Sequence, residues 1–330
     1  MKNIVEEFGT TTPLYIDIGK VKMKVISTAT SILFERLSAP SMRASRLSIF
    51  SLSWRFTRIA LITLLLAFSF ANYSKADAFH DAVKTTDIKK IAEFLANDPT
   101  LIHSEDTEGM TPLLWAVENG NEKMAEFLLS KGSNVNEKNK EGFTPLHAAV
   151  AAHQTAMLKF LLLKNANVNA KSDAGLSPLF FAAADNYEEG VERLLSKGAE
   201  INATNTVGMT PLQIAASKGH TTIVALLLLK GANVNSTDGA GFTPLLDAVK
   251  EGHQNVVELL LLKGANINSK DIGGFTALHV AAFNGRKSIA QILLTKGANV
   301  NARDENGDTP CQIAVKEEET DIADVLCAHR

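Results

Sequence analysis

Two cysteines are all that 330 residues contain, Cys311 and Cys327, and neither stands directly after the apolar run of the N-terminal region, so no site for lipid attachment is evident. Glycine-rich phosphate loops, zinc-protease helices and nucleophile elbows are missing too, and with them the usual signs of phosphoryl transfer and hydrolysis. Basic charge is scarce where a nucleic-acid binder would need it. Residues 1–76 hold ten Lys and Arg against four Asp and Glu, whereas the remainder holds 23 against 32, a net of −9. Phosphate neutralisation requires clustered Lys and Arg, so an acidic body argues against nucleic acid as the partner. The longest apolar run, residues 59–71, has 13 members, short of the roughly 20 that span a bilayer as a helix. What is present is 45% apolar residues, enough for a substantial core and too many for a disordered chain.

The short apolar run carries its own meaning. Arg58 precedes it, and the polar stretch 72–75 and the series Ala76-Asp77-Ala78 follow it. Basic flank, apolar segment and small-residue exit are the order of a secretory signal peptide. Such a signal belongs near the start of translation, yet 58 residues lie ahead of the run. Met42-Arg43-Ala44-Ser45-Arg46 would supply a basic opening at an ordinary distance. The expectation is therefore a start at Met42, with 1–41 untranslated or disordered and 42–78 a cleaved signal peptide, giving an exported, periplasmic or secreted product. Two other readings stay open. An uncleaved signal would anchor the chain, with membrane contact only through residues 59–71. The lack of acidic residues from Arg36 to Ala76, with frequent Ser and Arg, would also suit a mitochondrial presequence.

From residue 79 onward the sequence repeats itself. A four-residue motif opens at Thr111, Thr144, Ser177, Thr210, Thr243, Thr276 and Thr309, in steps of 33 residues. Pro follows in every copy but the one with Ala277, and Leu comes third in every copy but the one with Cys311. Thr or Ser at a helix N-cap and Pro at the first helical position are a start signal, because the hydroxyl satisfies a free amide and Pro has none to satisfy. Two residues earlier stand Gly109, Gly142, Gly175, Gly208, Gly241, Gly274 and Gly307, as a tight hairpin requires. Between the two helices of each unit, the positions Gly120, His153, Asn186, Gly219, Gly252 and Gly285 suit left-handed backbone, and Glu318 does not. A second cap follows each B helix at Gly132, Asn165, Gly198, Gly231, Gly264 and Gly297, and the column Asn136, Asn169, Asn202, Asn235, Asn268 and Asn301 reads as turn formers. The Asn-x-Thr triplets at Asn202 and Asn235 read as coincidences of that column rather than glycosylation sites.

In period and motif the chain resembles the ankyrin-repeat family. The resemblance implies an all-α repeat solenoid of helix-turn-helix units joined by β-hairpin fingers. Residues 79–108, which lack the Thr-Pro opening, are the expected N-terminal cap, 109–306 six full repeats and 307–330 a C-terminal cap. It also implies that His147 and His279, at the fourth motif position, tie the Thr to neighbouring backbone, and that the chain binds a protein through its concave face and finger tips. No segment outside the repeats could form a catalytic domain, so no enzyme activity, cofactor, metal site or small-molecule substrate is expected.

Two columns are candidates for partner contact. The residue before each motif Thr runs Met110, Phe143, Leu176, Met209, Phe242 and Phe275 before breaking at Asp308. Six apolar residues in one column make a stripe, and Met and Phe favour protein contacts; the competing reading packs them onto their own helix pair. The column after the fourth motif position includes Trp115, Phe181 and Asp247. An unpaired carboxylate is rarely buried, so Asp247 suggests that this column reaches the surface and that Trp115 and Phe181 are exposed anchors. The residues ending the A helices alternate in sign along the groove, which suits a mixed protein surface better than a charged small ligand. Cys311 and Cys327, both in the C-terminal cap in columns elsewhere filled by Leu, either bridge in an oxidising compartment or serve as small core hydrophobes. Two functional readings follow: an exported scaffold that holds or regulates a partner protein, or a secreted effector that recognises host proteins. N-terminal sequencing of the mature chain is expected to begin at Phe79; a product that keeps residues before 70 would refute the cleaved signal.

Overall fold

The computed structural model describes residues 15–18, 21–24 and 75–329. The chain divides into two units, Met1–Phe70 and Ala71–Arg330. In the first unit, Tyr15–Ile18 pairs antiparallel with Val21–Lys24, Tyr15 opposite Lys24 and Ile18 opposite Val21. The expected signal segment, 42–78, lies outside the described residues apart from its last four, which belong to a helix over 75–84. The fully buried part of that helix begins at Phe79 and His80. No helix among the described residues is long and apolar enough to cross a membrane.

The secondary structure described in the second unit is helical, in pairs that follow the sequence period. The A helices are Pro112–Glu118, Pro145–Ala151, Pro178–Ala184, Pro211–Ser217, Pro244–Glu251, Ala277–Phe283 and Pro310–Lys316. Their partners, the B helices, are Glu122–Ser130, Thr155–Leu163, Glu188–Ser196, Thr221–Leu229, Gln254–Leu262, Lys287–Thr295 and Thr320–Ala328. A further pair precedes them, the helix over 75–84 and Ile88–Asn97, followed by a 3-10 turn at Pro99–His103. The result is an all-α repeat solenoid. Helices of seven to nine residues are too short to be stable alone, so each must bury its apolar stripe against neighbours. The motif leucines Leu113, Leu146, Leu179, Leu212, Leu245 and Leu278 are buried, as is Cys311 in their place. One apolar cluster runs unbroken from Phe79 to Leu326.

Each A helix starts as its residues dictate. Thr111 Oγ1 accepts from the Leu114 amide at 3.3 Å, and in four copies the fourth motif residue closes a reciprocal capping box: His147, Gln213, His279 and Gln312. The fingers are hairpin tips too short for a strand ladder. Each closes on two backbone bonds, such as Asn139 N–H to the Phe143 carbonyl and Gly142 N–H to the Asn139 carbonyl, both 2.9 Å, and from the second finger onward each is joined to the next by one more, such as Thr206 N–H to the Ala174 carbonyl at 3.0 Å. Gly175 shows why glycine is required here: its φ is +74°, and a Cβ would stand 2.8 Å from the Thr206 nitrogen.

The cysteines of the terminal unit are bonded to each other, with 5.1 Å between their α-carbons. Glu318, the residue that departs from the turn pattern, nevertheless adopts φ +61°, and His153, Asn165 and Asn186 share that region. A side chain there is strained, so Glu318→Gly is expected to stabilise the chain by about 1 kcal/mol, read as an upward shift of the urea midpoint with an unchanged slope.

Candidate functional site

The stripe residues are held by their backbones at both ends. The amides of Met110, Phe143, Leu176, Met209, Phe242 and Phe275 each donate to a side chain four residues earlier: Asp106, Asn139, Ser172, Asn205, Asp238 and Asp271, at 2.8 to 3.2 Å. The carbonyls of Leu176 and Phe242 accept from the preceding repeat, from His147 Nε2 at 3.0 Å and Gln213 Nε2 at 2.9 Å. The side chains are thereby aimed by the scaffold rather than by their own packing. Met110 is buried, and the other five are half-buried. The Asp/Asn/Ser column that fixes them was legible as a polar residue recurring three positions before each finger Gly, but sequence reasoning did not single it out.

The two buried histidines of this face are structural. His147 Nδ1 accepts from the Thr144 amide at 3.1 Å while Nε2 donates to Leu176, which requires the neutral ring. Burial pushes His147 down to about 4 and lowers His279 likewise. His220 and His253 reach back to the carbonyls of Ala184 and Ser217, each at 2.9 Å. No group of three His, Cys, Asp or Glu among the described residues is arranged to hold a metal ion.

Two grooves open between the fingers and the A helices, and between them they take in four of the six stripe residues. The first, about 360 Å³, collects Met110, Phe143 and Phe181 over Leu114, Ala148 and Ala151. Phe143 and Phe181 meet edge to face at 5.5 Å, with His147 against both rings. The second, about 390 Å³, collects Phe242, Phe275, Val280, Ile272 and Phe283. Ile272 is 69% exposed and Phe283 51%. Leu176 and Met209 line neither of these two grooves. The column that contains Trp115 behaves differently from expectation. Asp247 is 7% exposed, not a marker of a surface column, because it sits beside Gln213, whose Nε2 donates to it at 3.4 Å. Val280 and Ile313 of the same column are buried as well. Phe181 is a half-buried wall of the first groove. Trp115 is half-buried outside both grooves, its Nε1 donating to Asp106 Oδ2 at 2.7 Å and its ring 4.2 Å from Lys84 Nζ. These contacts fix it as a clasp onto the N-terminal pair rather than a free anchor.

Stacked helix pairs, clamped fingers and apolar grooves across adjacent repeats define a repeat solenoid. The sequence model for three-copy ankyrin repeats matches residues 79–172, 179–271 and 263–330, and the chain belongs to the ankyrin-repeat family. Ankyrin repeats are protein-interaction modules, typically scaffolds rather than enzymes. No curated protein matches the chain.

Burial pushes the Asp247 carboxyl up to about 7, against the hydrogen bond from Gln213, which favours the charged form; Asp238 adds like-charge repulsion. The folded chain thus holds this proton more tightly than the unfolded one, so the group favours folding at low pH and the advantage is lost as pH rises toward 7. Asp247→Asn is expected to leave stability at pH 4 little changed and to raise it at pH 8 by about 2–4 kcal/mol, measured by urea denaturation at both pH values.

Proposed function

We propose that this chain is an exported, non-enzymatic ankyrin-repeat scaffold that binds and regulates a partner protein through its concave face and finger tips. The groove holding Phe143 and Phe181 carries the reading. Half-buried aromatic residues with clamped backbones lose little conformational entropy when covered, which is the property of residues that dominate interfaces. Two such grooves on one face give a partner two places to seat apolar side chains. Export is supported by the order of basic, apolar and small residues up to Ala78, and by the Cys311–Cys327 bond, since disulfides persist in oxidising compartments.

Replacing Phe143 and Phe181 together by Ala is expected to lower partner affinity by tenfold or more, measured by titration with the partner captured from the envelope fraction, with a small change in melting temperature. Trp115→Ala is the contrasting case, expected to loosen the N-terminal pair. Undiminished binding by the double variant would refute the assignment of this face.

A further inference from the structure

The first groove differs from the second in its charge. Its rim carries Glu108 on one finger, Glu118 on the A helix of that repeat and Glu141 on the next finger. All three are exposed, and none takes part in an ion pair among the described residues. The nearby cations are directed elsewhere: Lys84 to Asp106 and the Trp115 ring, and Lys140 to the Thr107 carbonyl at 3.4 Å. The second groove is balanced, with Lys250 and Asp271 on its lining.

Resting on the reading of this face as a partner surface, we infer that the first groove receives a basic side chain, Arg or Lys, projected from an apolar segment of the partner protein. The aromatic floor and the acidic rim recognise different parts of the same residue. Phe143 and Phe181 accept the aliphatic stem and the cation over their faces, and the carboxylates supply the opposite charge. Partial desolvation at the groove, together with the charges of Glu108 and Asp106, holds the Glu118 carboxyl above the usual range. An acidic or phosphorylated segment would meet three uncompensated carboxylates and be rejected. The second groove, lacking that excess, takes an apolar side chain of the same partner.

The full chain titrated calorimetrically with three synthetic peptides, identical apolar sequences with Arg, norleucine or Glu at the centre, tests the inference. The Arg peptide is expected to bind about tenfold more tightly than the norleucine peptide, with the advantage shrinking at high salt, and the Glu peptide more weakly still. Glu118→Gln with Glu141→Gln should erase the Arg preference while leaving norleucine binding and the melting temperature unchanged. Equal binding of Arg and norleucine peptides, a preference that survives the double Gln variant, or no binding by any peptide would overturn the inference. The partner reading falls separately. If Phe143→Ala with Phe181→Ala abolishes capture of the natural partner while the double Gln variant captures it normally, the face is the interface and only its charge selectivity is refuted.

Discussion

Side chains that satisfy the backbone of the neighbouring repeat are the constraint on which the rest of this structure depends. About half of each repeat is loop, and its amides and carbonyls cannot go unpaired where the units stack. Asn136, Asn169, Asn202, Asn235 and Asn268 each accept from an amide 31 residues further on, at 2.6 to 2.9 Å. His147, Gln213 and His279 reach a carbonyl 29 residues ahead, and Gln154, His220, His253 and Arg286 one 36 residues behind. These offsets hold only if every unit has the same length and register. Apolar burial supplies the attraction between units, and this polar network fixes where they stop.

The partner face inherits its precision from that network. A stripe residue is presented because its amide is tied within its own finger, and at Leu176 and Phe242 the carbonyl is tied to the repeat before as well. The grooves lie at junctions between repeats, so a solenoid that stacked loosely would have none. Where the network is filled differently the surface changes with it: Tyr187 replaces the helix-B cap, stacks on His153 at 4.5 Å and occupies the space over Gly190, where a Cβ would meet its ring at 2.3 Å.

Column reading recovered much of this. The period, the caps, the hairpin glycines and the structural role of the histidines were all legible because each is a local requirement repeated in register. Asp247 was misread because burial of a carboxylate depends on what the adjacent repeat offers, here Gln213, 34 residues away. Trp115 was read as an anchor because one of its partners, Lys84, belongs to the terminal pair that lacks the motif, and the other, Asp106, belongs to the finger column that had not been singled out. The acidic rim escaped notice for a related reason: Glu108, Glu118 and Glu141 occupy positions in two fingers and a helix and meet only in the stack.

Periodicity suffices for the fold class and the register, since a 33-residue period imposes the same backbone conformation at each step. Packing decided that four of the stripe residues fall in two separate grooves, that one groove is acidic and the other balanced, and that Cys311 and Cys327 are joined. Those properties depend on distances between residues of different columns, which periodicity leaves open and packing fixes.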